Sequence, residues 1–160
     1  MRSWEVPSND RSPADHLDIL ARTLFGEARS EALIGVVAVA NVIMHRRRRA
    51  GWWGGDIASV CLSPPQFSCW STADWNKRNL ARMERATLTS PPFQECHIVA
   101  RLAMADALRD VTGGATHYHT HGVKPRWASV LRFTKEIGAH KFYVEETWQR
   151  EKSDESQSDA

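Results

Sequence analysis

Two glutamates near residue 30 have the residue type and the spacing for acid–base chemistry. Glu27 and Glu31 lie four residues apart in the stretch LARTLFGEARSE. On a continuous helix they would share one face, roughly 6 Å apart along the axis. A carboxyl group held against apolar neighbours stays protonated closer to neutral pH, because desolvation disfavours its charged form. Such a group can protonate a glycosidic oxygen.

The residues around this pair leave two interpretations open. Gly26 leaves space beside Glu27 that a bound ligand or another backbone can occupy. Alternatively, the stretch is a solvated helix end, where both glutamates pair at the surface with Arg22 and Arg29. Exposed helical glutamates are common, so the pattern alone favours the solvated end.

A second cluster contains three histidines in alternation. A strand through THYHTHG would place His117, His119 and His121 on one face and Tyr118 on the other. Three imidazoles on one face can bind zinc, line a polar groove, or lie partly exposed with ordinary hydrogen-bond partners. The metalloprotease signature HExxH is absent. The sequence therefore assigns no metal ligand, and a zinc-dependent amidase or peptidase stays an alternative.

Other familiar chemistries have little support in the sequence. Cys61, Cys69 and Cys96 have no CxxC spacing, and we interpret them as free thiols. Neither GxSxG nor a P-loop occurs. The HRRRR run at 45–49 is interpreted as a solvated helix end whose cations complement the helix dipole. The chain has no basic stripe, so we expect no nucleic-acid partner.

The bulk composition indicates one compact domain. The chain has 160 residues, 42% of them hydrophobic, and a net charge of +2. No run of 18 apolar residues occurs, so we expect no stable membrane insertion. Seven tryptophans are many for this length, and open carbohydrate-binding grooves use aromatic faces to stack on sugars. The polar N-terminus lacks an apolar signal core, so we expect no cleaved secretory signal.

Helical periodicity dominates the first two thirds of the sequence. One helix is predicted from about Ala14 to Arg29, with Ser12 as N-cap and Pro13 at the first helical position. A second helix, which is almost continuously apolar, is predicted over residues 32–46. A third helix is predicted from Pro92 until Gly113-Gly114. Residues 56–70 are predicted to be a loop.

In the last part of the domain the hydrophobic pattern changes from helical periodicity to the alternation that is typical of strands. Residues 115–144 combine alternation with β-branched and aromatic residues, which predicts short strands in a small sheet or hairpin. We expect residues 1–13 to be a flexible arm and residues 151–160 to be a disordered acidic tail. A single domain over residues 14–150, acting as a monomer, lies between them.

Four separated blocks, in this order, resemble the SleB-type cell-wall hydrolases, a family that includes spore cortex-lytic enzymes and phage or prophage endolysins. The resemblance covers about residues 15–144, and the blocks are ARTLFGEARSEALIGVVAVANVIMHR, ASVCLSPPQFSCW, GGATHYHTHGVKPRWA and IGAHKFY. It implies an α+β, mainly helical domain of the lysozyme and lytic-transglycosylase type, with a small β-sheet or hairpin flanking a groove.

The resemblance also implies roles for individual residues. Glu27 corresponds to the catalytic glutamate of the family's GEA motif, and Glu31 is carried over as a site-supporting residue. Residues of the other blocks are expected to bind substrate: Gln66, Phe67, Ser68, His117, Tyr118, His119 and Trp127. Trp127 and His140 can instead be structural.

The implied activity is cleavage of peptidoglycan between N-acetylmuramic acid and N-acetylglucosamine, without a cofactor. No second carboxylate is evident in the other blocks, which favours lytic transglycosylation with Glu27 as acid and then base. A non-catalytic glycan-binding module is a further alternative. The polar N-terminus fits a phage or gene-transfer-agent lysin that is made in the cytoplasm and reaches the wall through a holin or on a particle.

Overall fold

The computed structural model describes residues 1–49, 51–63 and 66–146. The predicted acidic tail, residues 151–160, lies outside the described residues. The helices are α1 (Pro13–Ala28), α2 (Leu33–Arg49), α3 (Ile57–Leu62), α4 (Lys77–Arg85) and α5 (Pro91–Met104), and the strands are β1 (His117–Thr120), β2 (Arg132–Ile137) and β3 (His140–Val144). No helix in the described part of the chain is both long and apolar enough to span a membrane.

Helix α1 begins at a capping box and ends before Glu31. The Ser12 side chain accepts a hydrogen bond from the Asp15 backbone N–H at 3.2 Å, and the Asp15 carboxylate accepts from the Ser12 N–H at 2.8 Å. The predicted N-cap is therefore confirmed. The helix ends at Ala28, so Glu31 lies beyond it. Glu27 and Glu31 are consequently not on one continuous helix, contrary to the expectation from their spacing.

Helices α1, α2 and α5 build the main core. As predicted, α2 is buried on most sides, with Val36, Val39 and Ile43 among its inaccessible side chains. Helix α5 ends at Met104 rather than at Gly113-Gly114. Asp106 takes a left-handed conformation with φ of 56°, so the Ala107 N–H turns back to bind the Leu102 carbonyl at 2.8 Å.

Two short helices lie in segments whose sequence did not predict them. Residues 57–62, expected to be loop, form α3, because the Asp56 carboxylate accepts from the Ser59 N–H at 2.8 Å and so caps the helix. Ile57, Val60 and Cys61 then bury one face of this helix. Helix α4 lies in the polar stretch after residue 71 and contributes Met83 to the core.

The predicted small sheet is present, with antiparallel strands in the order β1-β3-β2. Tyr118 lies opposite Phe142, and His119 lies opposite Lys141. Phe142 packs in a second core cluster with Ala38 and Val42 of α2, so its side of the sheet is the inner face. The outer face carries the alternate residues of each strand. Strand β1 ends at Thr120, so His121 lies outside it, contrary to the alternation pattern.

The N-terminal residues pack on the helices rather than forming a free arm. Residues Ser3–Glu5 and Ser8–Asp10 are short 3-10 helices. The Trp4 ring lies 5.7 Å from that of Trp70, and the Arg22 guanidinium carbon lies 5.0 Å from the centre of the Trp4 ring. The segment is polar in composition, yet the Trp4 indole and the Ser3 hydroxyl, which donates to Asp18, attach it to the helices.

Candidate active site

Glu27 lies half-buried in the last turn of α1, and it receives a hydrogen bond from the sheet. The Tyr118 hydroxyl donates to Glu27 Oε2 at 2.7 Å, joining two residues that are 91 positions apart. Tyr118 points to the inner face of β1, because it lies opposite the buried Phe142. The thiol of Cys69 also lies within hydrogen-bonding reach of the Glu27 carboxylate. The structure therefore brings Glu27 and Tyr118 together, as the glycan-site prediction requires.

Both donors to Glu27 are held in their protonated forms. Burial, followed by the nearby charge of Glu27, raises the pKa of Tyr118 well above its usual value. Burial and the same carboxylate also raise the pKa of the Cys69 thiol. A protonated, buried thiol is a poor nucleophile, so Cys69 serves this site as a neighbour of Glu27 and not as an attacking group.

The space beside Gly26 is occupied by side chains of the chain itself. A Cβ at position 26 would lie 2.9 Å from the Cβ of Cys69 and would also collide with the thioether of Met83. The glycine thus lets the segment containing Cys69 and helix α4 approach the end of α1. The sequence suggested that a ligand or another backbone fills the space beside Gly26. The side chains of Cys69 and Met83 fill it instead.

Glu31 contacts the turn between β2 and β3. Its Oε1 accepts from the Ala139 N–H at 3.2 Å and lies 3.5 Å from His140 Nδ1. Two glycines flank it: a Cβ at Gly35 would lie 2.7 Å from the Glu31 Cβ, and Gly138 has a positive φ of 56°. The Glu31 side chain is only 13% exposed. Its contacts fit a residue that supports the site by holding the hairpin turn.

His140 connects that turn to the hydrogen-bonded pair of Glu27 and Tyr118. The buried His140 ring packs edge-on against the Tyr118 ring, with centroids 4.9 Å apart. Burial lowers the pKa of His140, and the charge of Glu31 opposes this effect. The chain of contacts runs from Glu31 through His140 and Tyr118 to Glu27. Glu31 therefore reaches the site through the sheet, although its position beyond α1 separates it from Glu27.

Arg46 is a residue of this site that the sequence analysis assigned to a solvated helix end. It is only 7% exposed; its Nε donates to the Thr116 carbonyl at 2.7 Å and its Nη1 to Gln66 Oε1 at 2.8 Å. Burial lowers its pKa to about 10, and the charge of Glu27 opposes the shift. Arg47 and Arg48 are exposed, as expected for a solvated helix end. The missed signal was helical spacing, because Arg46 continues the buried stripe of α2.

The predicted QFS segment lies beside the same arginine. Gln66 accepts its hydrogen bond, and Phe67, 4% exposed, lies with its ring centre 5.3 Å from the Arg46 guanidinium carbon. Ser68 is exposed. The segment borders a groove with a volume of about 480 Å³, to which these residues contribute: Leu62, Phe67, Ser68, Trp70, Thr72 and Trp75.

His117, His119 and Trp127 lie on the other side of the sheet from Glu27. The Trp127 ring lies 4.9 Å from His117 and 5.7 Å from His119, and the His119 Nε2 lies 3.0 Å from the Tyr143 hydroxyl. This outer face is opposite to that of Tyr118. The structure thus does not bring these three predicted substrate-binding residues to Glu27, because alternation along a strand separates neighbours onto two faces.

The three alternating histidines do not converge on one point. His121 Nε2 pairs with Glu136 Oε1 at 2.9 Å, whereas His119 contacts Tyr143 and His117 packs against Trp53. Within the described ranges, no group of three or more histidine, cysteine or carboxylate side chains is arranged to hold a metal ion. The donor geometry therefore gives the zinc-dependent alternative no support. The described cysteines, Cys61, Cys69 and Cys96, are free and buried.

Comparison with known proteins decides the family. A family model described as cell wall hydrolase matches residues 30–143, well over half of the chain. The chain belongs to the cell wall hydrolase family. It is therefore a cell wall hydrolase of the SleB type, as the four sequence blocks indicated. No curated protein sequence matches it significantly.

Two solved structures are similar to this cell wall hydrolase. The catalytic domain of the germination-specific lytic transglycosylase SleB from Bacillus anthracis is 25% identical, with a TM-score of 0.62 over 86% of this chain and 99% of that chain. The SleB catalytic domain from Bacillus cereus is 22% identical, with a TM-score of 0.63 over 87% and 98%. They confirm the predicted α+β, mainly helical fold.

Replacing Tyr118 with phenylalanine tests the hydrogen bond at the centre of the site. We expect Tyr118→Phe to keep the fold and to lower kcat on purified cell walls by about tenfold, the equivalent of one hydrogen bond to a charged group. The ring contacts with His140 and Phe142 remain in this variant. Steady-state kinetics with a matched Tyr143→Phe variant checks the result, and equal rates in wild type and Tyr118→Phe would contradict it.

The protonation of His117 predicts a pH dependence of stability. Burial, with the charges of Arg46 and Arg49, lowers the pKa of His117 to about 4. In the unfolded chain a histidine titrates near 6.5. Between these values the unfolded chain binds a proton that the folded chain does not, so stability is lost as the pH falls from about 6.5 to about 4.

We therefore expect His117→Asn to lose less stability on acidification than the wild-type protein. Thermal unfolding at pH 7, 5.5 and 4 measures this, and the difference in Tm between the two proteins should change in favour of the variant as the pH falls. If the difference in Tm between the two proteins stayed constant across this range, the pKa of His117 would be the same in the folded and unfolded chains, and the prediction would be wrong.

Proposed function

We propose that this cell wall hydrolase cleaves the glycosidic bond between N-acetylmuramic acid and N-acetylglucosamine in peptidoglycan, with Glu27 as its acid and base. The observation that carries the proposal is the hydrogen bond from Tyr118 to the half-buried Glu27 at the end of α1. The similarity to a structure described as a lytic transglycosylase supports the same reaction class.

The proposed reaction needs one carboxyl group and no water. The Glu27 carboxyl protonates the bridging oxygen, and the bond from that oxygen to the anomeric carbon of the muramyl sugar breaks. The 6-hydroxyl oxygen of the same sugar attacks the anomeric carbon, which carries oxocarbenium character. The proton of this hydroxyl goes to the Glu27 carboxylate. The product is a 1,6-anhydro sugar, and Glu27 is again protonated for the next cycle.

The environment of Glu27 suits the second half of this cycle, in which the ionised carboxylate acts as the base. Tyr118 stays protonated and donates its hydrogen bond to Glu27 Oε2. After delivery, the hydroxyl of Tyr118, the thiol of Cys69 and the positive charge of Arg46 all stabilise the carboxylate. The ionised form is then available as the base.

The surroundings of Glu31 favour this route over hydrolysis by a pair of carboxylates. Ordinary glycosidases place a second carboxylate beside the scissile bond as nucleophile or base. Glu31 accepts the Ala139 N–H and lies between Gly35 and Gly138. Its carboxylate is thus engaged with the hairpin turn and is not presented to a sugar.

Mass spectrometry of the fragments released from purified sacculi tests the proposal. We expect muropeptides that end in 1,6-anhydro-N-acetylmuramic acid, lighter than hydrolysed fragments by the mass of one water molecule. Fragments that end in reducing N-acetylmuramic acid would show that water attacks instead. Release of free stem peptides without glycan cleavage would contradict the proposed bond.

A further inference from the structure

We infer that the groove between Trp70 and Trp75 is a sugar-binding subsite, with Trp75 as its stacking platform for one pyranose of the glycan strand. This inference rests on the proposed function for its ligand class and adds a binding site to it. Trp75 is 72% exposed, which is unusual for so large an apolar side chain. It lies in the polar stretch after residue 71, where the sequence analysis assigned no role.

The chemistry of the groove fits a sugar better than a purely apolar ligand. Its walls combine the indoles of Trp70 and Trp75 with the hydroxyl-bearing residues Ser68 and Thr72. A pyranose ring presents apolar C–H faces and a polar rim of hydroxyl and N-acetyl groups. Aromatic faces can cover the former while side-chain hydroxyls bind the latter. The volume of about 480 Å³ is sufficient for a ligand of this size.

The Trp70 side of the groove is attached to α1 near the proposed catalytic site. The Trp70 indole N–H donates to the Thr23 hydroxyl at 2.9 Å. Thr23 lies four residues before Glu27 on α1, which is about one helical turn, or roughly 6 Å along the axis. Cys69, the residue before Trp70, is the one whose thiol approaches Glu27. Trp70, one wall of the groove, is therefore held against α1 one turn before Glu27.

The segment that carries both indoles is fixed firmly enough to serve as a subsite. The buried Asn76 side chain donates to the Cys69 carbonyl at 2.8 Å and to the Ser71 carbonyl at 2.7 Å. These bonds close the segment from Cys69 to Asn76 into a loop with Trp70 and Trp75 at its two sides. A preformed loop loses little conformational entropy when a ligand binds.

Binding to the inactive protein tests the subsite separately from catalysis. The probe is soluble, peptide-free glycan strands, titrated by calorimetry into the Glu27→Gln protein with and without Trp75→Ala. We expect Trp75→Ala to weaken binding by about tenfold, Trp75→Phe to recover part of it, and Ile98→Ala to have no effect. Ile98 is the matched control, because it is apolar and 55% exposed on α5.

The outcomes separate the two proposals. Equal affinity in the Trp75→Ala and parent proteins, or no saturable binding by the parent, would overturn the subsite. Circular dichroism of each variant establishes that the fold is retained, since Trp75 is largely outside the core. If Glu27→Gln instead remained active, the catalytic proposal would fail while a loss of binding in Trp75→Ala would still support the subsite.

Discussion

Replacing Glu27 with glutamine is expected to lower the rate of cell-wall cleavage by about 10³-fold or more while leaving the fold intact. Positioned acid–base groups typically contribute 10²- to 10⁴-fold, and here one group performs both proton transfers. Glutamine has nearly the same shape, and its amide oxygen can still accept the hydrogen bond from Tyr118. The variant therefore removes the transferable proton and little else.

The measurement is the release of soluble fragments from purified sacculi by wild type, Glu27→Gln and a matched Glu95→Gln variant. Glu95 lies on α5, so its substitution makes the same chemical change away from the site. We expect Glu95→Gln to cleave at the wild-type rate and both variants to melt near the wild-type temperature. A Glu27→Gln protein that clears sacculi normally would remove Glu27 from the mechanism.

The elements were predictable where local signals are strong, and the errors have local causes. The capping of α1 by Ser12, the buried α2 and the small sheet follow from capping chemistry and periodicity. Helix α3 was missed because six residues give too short a window for a 3.6-residue period. The end of α5 was misplaced because a left-handed Asp106 replaced the glycine that such ends favour.

The site was predictable only in part, because it joins residues that are distant in the chain. The pattern around Glu27 favoured a solvated helix end, and only the family resemblance selected it as a catalytic residue. The alternation of β1 predicted correctly that Tyr118 faces away from His117 and His119. It gave no indication of which face meets Glu27, since that depends on how the sheet packs against α2.

Arg46 shows the same limit for a charged residue. In the run HRRRR each cation looks alike, yet the helix turns Arg46 inward and Arg47 outward. Its partners, Thr116 and Gln66, are 70 and 20 residues away along the chain. Helical spacing predicts that the position is buried, but no local pattern predicts what a buried guanidinium will bind.

Arg46→Met is expected to destabilise the protein by about 3 kcal/mol, because it leaves one buried and one partly buried acceptor without their donor. The Thr116 carbonyl and the Gln66 amide oxygen both lose a charged hydrogen bond. For a chain of this size the loss corresponds to a Tm lower by roughly 10 °C. Burial lowers the pKa of Arg46 only to about 10, so the lost group is a cation at neutral pH.

The same substitution should also impair catalysis more than Tyr118→Phe does. The Thr116 carbonyl immediately precedes β1, so its bond to Arg46 holds the strand that presents Tyr118 to Glu27. Thermal unfolding and sacculus clearance measured below the Tm separate the two effects. Arg47→Met is the matched control, because this neighbouring arginine is exposed. Arg46→Lys keeps the charge, but a single ammonium cannot reproduce both hydrogen bonds of the guanidinium. We therefore expect its Tm and its clearance rate to lie between those of Arg46→Met and Arg47→Met. If Arg46→Met melted and cleaved like Arg47→Met, the buried arginine would have no part in holding the site.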